Sequence, residues 1–366
     1  MQTTLSSATL ARLRRQRPYP AVSVLMPTHR REPDNTQDPV RLRNLMAQAK
    51  DQLHADPAVT RDRRIDVIEQ LDLALAEVDL VHAEDGLAVF AAPGEHEVWS
   101  LGRTVPTRVV LSDTYLTRNL VSAKAAERPY WVLAVSSDRV TLWSGGAERV
   151  VEENTGAFPL TRSLEDPDAE RKERIGDLPS TFSDEQTRQF LREADAAIGA
   201  VLKSAPRPLY VAGEAAALSL LDGVGTVTGR ATATHVPQGG LAAGPPDAVW
   251  QAVRPPVEAR AERDVAKVLA ELDKARGRKA FAAGVDEIRQ NVESGRVALL
   301  AVEESYQETV RDSGGHLLPA EPGDLDALDD IVDDIVERSL DTGADVRFVP
   351  DGTLAGMGGI ASALRY

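Results

Sequence analysis

The residues best suited to chemistry on a phosphate are two clusters near the N-terminus. His29, Arg30 and Arg31 follow an apolar run that ends at Pro27. Such a cluster can hold a phosphate by charge and by bidentate guanidinium hydrogen bonds. A solvated charged loop is the competing reading of the same residues. Arg41, Arg43 and Asn44 come just after Asp38-Pro39, a pair that supplies a cap and a first-turn proline for a helix. Arginine at a helix start is also ordinary surface. Residues 1–64 carry 12 Arg or Lys against 6 acids, although the formal net charge of the chain is −15. Exposed charges are screened beyond roughly 8 Å at physiological salt, so a basic patch can meet RNA while a distant acidic face goes unfelt.

A third basic group, Arg171, Lys172 and Arg174, lies in the polar, aperiodic stretch Thr161 to Asp184, where Glu170 and Glu173 can cancel its charge. Other chemistries find no support. The six histidines show no metal-ligand spacing, cysteine is absent, and neither a P-loop nor a Gly-x-Gly-x-x-Gly phosphate turn occurs. No cofactor and no metal are expected. The carboxylates Asp326, Asp329, Asp330, Asp333, Asp334 and Glu337 recur opposite the apolar set Leu325, Leu328, Ile331, Val332, Ile335, Val336 and Leu340. That spacing is read as the solvent face of an amphipathic helix, Asp324 to Asp341. Lack of cysteine, of a secretory segment and of any apolar run near 20 residues predicts a cytoplasmic protein without membrane contact.

The elements that must position these residues follow from periodicity and punctuation. Ala21 to Pro27 reads as a buried strand, Arg41 to His54 and Arg63 to Val81 as helices, and Gly86 to Ala91, Glu97 to Leu101 and Thr107 to Leu111 as a small sheet. Trp131 to Val135 and Arg139 to Gly146 form a hairpin around Ser137-Asp138. A helix from Asp184 to Leu202, a strand Pro208 to Gly213, an Ala-rich helix and a strand Gly225 to Val236 follow, with a break at Gln238 to Pro246 or at Arg254-Pro255-Pro256. Helices Val257 to Arg276 and Gly284 to Ser294 then alternate with strands Val297 to Val302 and Asp345 to Val349 and a short terminal strand. The fold class is α/β, or α+β, in three domains: 1–125, 126–252 and 253–366.

Two C-terminal stretches carry a family resemblance. Gly284 to Glu303 is a helix feeding a buried strand, and Gly356-Met357-Gly358-Gly359-Ile360-Ala361-Ser362-Ala363-Leu364-Arg365-Tyr366 is a Gly-rich turn before the terminal strand. Both resemble the C-terminal domain of archaeo-eukaryotic class-I release factors and of Pelota, and the order of elements is similar over nearly the whole chain. The sequence is identified as resembling the bacterial archaeo-eukaryotic release factor superfamily. The resemblance implies a ribonuclease-H-like middle domain and a C-terminal domain like a kink-turn-binding ribosomal protein. It also implies a ribosomal partner, with Arg41, Arg43 and Asn44 near 16S rRNA in the decoding centre and Arg171, Lys172 and Arg174 toward 23S rRNA. A translational GTPase is the implied partner of the C-terminal domain; DNA is not expected.

Two departures shape the activity expected. The family's Gly-Gly-Gln, whose glutamine positions the attacking water, occurs nowhere in this sequence, and Gln186 follows Asp184 and Glu185 instead of two glycines. An Asn-Ile-Lys-Ser type codon-reading motif is missing too. The expectation is a non-hydrolytic factor that binds the ribosomal A site in hibernation or rescue. A peptidyl-tRNA hydrolase with a divergent loop using Gln186, an RNA-cleaving factor, or a protein-binding stress adaptor on the same fold are the alternatives.

Overall fold

Ala21–Pro27 is strand β1, with six of its seven residues buried, and it is a central strand of the first sheet. The computed structural model describes the chain apart from residues 3, 4, 6, 31, 147, 148, 155, 163–178, 322, 323, 325, 326 and 329, and gives backbone alone for 7, 127 and 179–184. β1 pairs with β2 (Gly86–Ala92) and β4 (Arg108–Ser112), and β3 (Glu95–Leu101) adds an edge, in the antiparallel order β3-β2-β1-β4. A strand apolar on both faces needs a layer on each side. α2 (Asp38–Ala55) and α3 (Arg61–Glu77) form one layer, packing Leu42, Met46 and Leu71 on Val22, Val24 and Val89. α1 (Ser7–Leu13) and α4 (Arg118–Glu127) form the other, packing Leu10, Leu13 and Leu120 against Leu25, Phe90 and Trp99.

The middle sheet repeats the sandwich. β5 (Tyr130–Val135), β6 (Arg139–Gly146), β7 (Arg149–Glu153), β8 (Leu160–Thr161), β9 (Leu209–Gly213) and β10 (Thr234–Pro237) assemble in the order β10-β9-β5-β6-β7, with β8 also on β6. β5, β9 and β10 run parallel, and β6 and β7 antiparallel. α5 (Pro179–Ser204) and α6 (Ala215–Val224) cover one face through Phe190, Leu191, Ile198 and Leu218. The first half of α7 (Pro246–Gly277) covers the other through Val249 and Val253. Two expectations fail here. Gly225 to Ala233 forms turns rather than strand, because its backbone is drawn onto Asp195. The helix also runs straight through Pro255 and Pro256 without a break. Proline's fixed φ is compatible with a helix, although each ring removes one N–H donor and crowds the carbonyl four residues back.

In the last sheet β11 (Phe281–Ala283), β12 (Val297–Glu303), β16 (Asp345–Val349) and β17 (Ile360–Leu364) take the order β11-β17-β12-β16, with only β12 and β16 parallel. α8 (Val285–Glu293) and α9 (Ile331–Asp341) pack Ile288, Val292, Val332 and Ile335 on one face; Leu272 and Ala275 of α7 pack on the other. A small sheet of β13 (Val310–Ser313), β14 (His316–Pro319) and β15 (Ala327–Leu328) was not expected. It takes residues that the periodicity assigns to the start of a longer helix, so α9 begins at Ile331 and Leu328 is exposed. The turn before β17 requires glycine at 359: its φ is +76° and a β-carbon would stand 2.4 Å from the Tyr306 ring.

Contacts group the chain into two units, Met1–Ala126 with Val265–Tyr366, and Glu127–Asp264. The expected joins at 125/126 and 252/253 compare with edges at 126/127 and 264/265, the second falling inside α7. The outer two expected domains fall in one unit, within which Thr117 and Arg118 hydrogen-bond to α9.

Candidate functional site

The expected phosphate-binding residues are only partly gathered. β1 delivers the chain to Thr28, whose backbone N–H and hydroxyl are held by the carbonyls of Asp85 and Glu84. His29 then turns toward the start of α2. Its backbone N–H donates to Asp38 Oδ2 at 2.8 Å and its Nδ1 lies 3.0 Å from Asp38 Oδ1. Arg41 donates to the same Oδ1 at 2.9 Å, so the buried Asp38 carboxylate ties β1 to α2. Asp38 was expected to be the helix cap; instead a short 3-10 turn, Asp34–Gln37, leads in, Gln37 takes the cap position and Asp38 reaches backward.

Arg30 is spent similarly, forming a fork of 2.7 and 2.6 Å on Asp85. Arg43 and Asn44 lie exposed on α2, and Arg43 donates to the Pro39 carbonyl of its own helix. Arg31 and the group Arg171, Lys172 and Arg174 lie outside the described residues. The local charge excess is reduced further by partners distant in sequence: Arg12 pairs with Glu97, Arg17 with Glu95, Lys50 with Asp72 and Arg14 with Asp341. The basic surface is therefore narrower than the sequence count suggests.

Gln186 lies exposed within α5, on a regular helix and not at a flexible tip. Nine residues further along the same helix, Asp195 is the polar centre of this unit. Its carboxylate accepts from the N–H and hydroxyl of Thr226 (2.9 and 2.7 Å), the N–H of Val227 (3.0 Å) and the N–H and hydroxyl of Thr228 (2.9 and 2.8 Å). Burial would push this acid up, but the five donors outweigh it and hold the carboxyl below its ordinary value.

Of the acidic face expected to be solvated, Asp326 and Asp329 lie outside the described residues, and Asp333 and Glu337 are turned away from solvent. Asp330, Asp333 and Glu337 are buried, beside the fully buried Arg118 and Thr117 that open α4. Arg108 donates to Asp330 at 2.7 Å, and Arg118 reaches the same carboxylate at 3.4 Å and the Tyr306 carbonyl at 2.6 Å. Asp333 accepts from the backbone N–H of Arg118 at 2.8 Å, and Glu337 Oε1 lies 2.5 Å from the Thr117 hydroxyl. Burial first, then the neighbouring Asp330, pushes Asp333 up to about 7. Burial, then Asp333, pushes Glu337 up to about 9. A helix face is polar in sequence whether water or another protein layer covers it, and nothing near α9 in the chain announces Arg108, Thr117 or Arg118 as the cover.

Among the described residues no group of His, Asp and Glu is arranged to hold a metal ion, and no helix is long and apolar enough to cross a membrane. Among the described residues, Arg43 and Asn44 form an exposed polar pair on α2.

Comparison with known proteins gives one family. The model of bacterial archaeo-eukaryotic release factor family 3 matches residues 129–296. No match is found among the curated proteins. Solved structures with detectable similarity include an archaeal translation termination factor, 19% identical over 100% of this chain and 99% of that one, with a TM-score of 0.27. Ribosome-bound archaeal Pelota, solved with ABCE1, is 15% identical over 75% and 73%, with a TM-score of 0.43. The C-terminal domain of a peptide chain release factor from Methanosarcina mazei is 22% identical over 33% of this chain and 90% of its own, with a TM-score of 0.25. The chain is similar, through residues 129–296, to bacterial archaeo-eukaryotic release factor family 3, the superfamily that its C-terminal motifs resemble.

Proposed function

We propose that this chain is a ribosome-associated, release-factor-like translation factor that occupies the A site without hydrolysing peptidyl-tRNA, in hibernation or in rescue of stalled ribosomes. One pairing of observations carries the reading: residues 129–296 match a release-factor family while the sequence contains no Gly-Gly-Gln. Gln186, the glutamine that precedes Phe190 at nearly the family's spacing, lies on a helix, where it lacks the glycine freedom that lets a backbone tip enter a reaction centre. In this reading Arg43 and Asn44 meet 16S rRNA, the segment with Arg171, Lys172 and Arg174 points toward 23S rRNA, and the C-terminal part receives a translational GTPase. Arg30 and Arg41 serve mainly to shape the loop, since Asp85 and Asp38 already hold their charge.

Sedimentation of ribosomes from stressed cells tests the reading. The tagged chain should travel with ribosomes at low salt, and Arg43→Ala should reduce the slope of log affinity against log salt by about 1, as expected for one lost phosphate contact. A chain that stays soluble under every condition overturns ribosome association. Binding that ignores both salt and Arg43 favours a protein-binding adaptor.

A further inference from the structure

The seam between α4 and α9 has a charge imbalance that the ribosome reading does not use. Asp330 is matched by Arg108 and Arg118. Asp333 and Glu337, four residues apart on one helix face, form no ion pair among the described residues; their partners are a backbone N–H and a hydroxyl. Arg14, the remaining cation near Glu337, is paired with Asp341. Two adjacent carboxylates cannot both stay charged in a buried layer, because each lacks water and repels the other. A neutral, protonated carboxyl removes both penalties.

We propose that Asp333 and Glu337 form a proton-operated latch, in which the Met1–Ala126 part closes on the Val265–Tyr366 part with these carboxyls protonated and loosens as their protons leave. The groups facing them are Arg108 from β4, Thr117 and Arg118 from α4, Arg14 after α1, and Asp330 and Asp334 on the α9 segment itself. Arg338, which could approach Glu337 along the helix, is held on Asp334. The sign follows from the direction of the shifts. Both carboxyls sit above their ordinary value when the seam is closed, so the closed form binds protons that an open form releases. Closure is complete below the ordinary carboxyl range and weakens as pH rises from there, up to about 7 for Asp333 and about 9 for Glu337. The proposal stands apart from ribosome binding, since it concerns the isolated chain.

Amide hydrogen exchange on the full-length protein tests it. The seam amides, 117–121 and 331–340, are compared at each pH with those of β5 in the other unit, after correction for intrinsic exchange. Between pH 7 and 9 the ratio of seam to β5 protection should fall by about tenfold per pH unit, the effect of one released proton. Glu337→Gln mimics the protonated acid, so its ratio should stay nearly flat and exceed the wild type at least tenfold at pH 9. A flat wild-type ratio, or a Glu337→Gln profile that follows the wild type, overturns the latch. Asp333→Asn provides a second reading should Glu337→Gln lose the β5 reference as well: it must reduce the pH dependence, and an unchanged slope counts against the proposal.

Discussion

Asp195 in the Glu127–Asp264 unit and Asp333 with Glu337 in the other unit are all carboxyls withdrawn from water, yet their surroundings drive them in opposite directions. Asp195 stands alone and is wrapped by five donors from one turn, so its charged form is the favoured one. Asp333 and Glu337 stand together, share a layer with Asp330, and receive one donor each. Burial is common to both sites; the count of donors against the count of like charges decides the outcome. The first arrangement fixes a turn. The second ties structure to proton concentration.

The largest expected effect breaks the cationic side of the seam. Arg118→Ala leaves Asp330 with a single cation and empties a fully buried site, and should cost about 3–5 kcal/mol of stability by urea unfolding. A loss under about 1 kcal/mol would mean that the seam is wet or dispensable. In the other unit, Asp195→Ala strands the buried N–H and hydroxyl of Thr228 along with the other donors, and should cost about 2–3 kcal/mol. Equal small losses at both positions would erase the contrast.

The pH dependences should carry opposite signs. Asp195 contributes stability above the ordinary carboxyl range, and this is lost as pH falls through its lowered value. The seam's contribution is full below the ordinary carboxyl range and is lost progressively as pH rises from there toward the raised values of Asp333 and Glu337. Exchange protection followed separately in the two units from pH 4 to 9 checks this; parallel profiles would contradict it. The smallest effect is Thr117→Val, which removes one hydroxyl from Glu337 and should cost about 1 kcal/mol by the same urea measurement. Thr228→Val should cost more than Thr117→Val, since the Asp195 it deprives is held charged by its donors whereas Glu337 is held neutral.

Much of the fold was legible because it rests on local signals. The apolar run stopped by Pro27 is β1 as expected, and Ser137-Asp138 does turn the β5–β6 hairpin. Gly359 also sits at the positive φ that its place before the terminal strand suggests. The site was less legible, because it depends on what covers what. Arg30 and Arg41 look like free phosphate ligands until Asp85 and Asp38 are seen beside them. Asp333 and Glu337 repeat at the spacing of a solvated helix face, while the Thr117 that meets Glu337 is 220 residues away in the chain. Arg43 and Asn44 alone among the described phosphate-binding candidates lie exposed without an acidic partner in the structure.

In the proposed function a release-factor-like body binds ribosomes without the chemistry of release. Ribosomes loaded with labelled peptidyl-tRNA and mixed with the purified chain test it in one experiment, with pelleted protein and freed peptide measured together. Protein in the pellet and no freed peptide above background are the expected outcome. Protein left in the supernatant, or peptide release that disappears in Gln186→Ala, would contradict it.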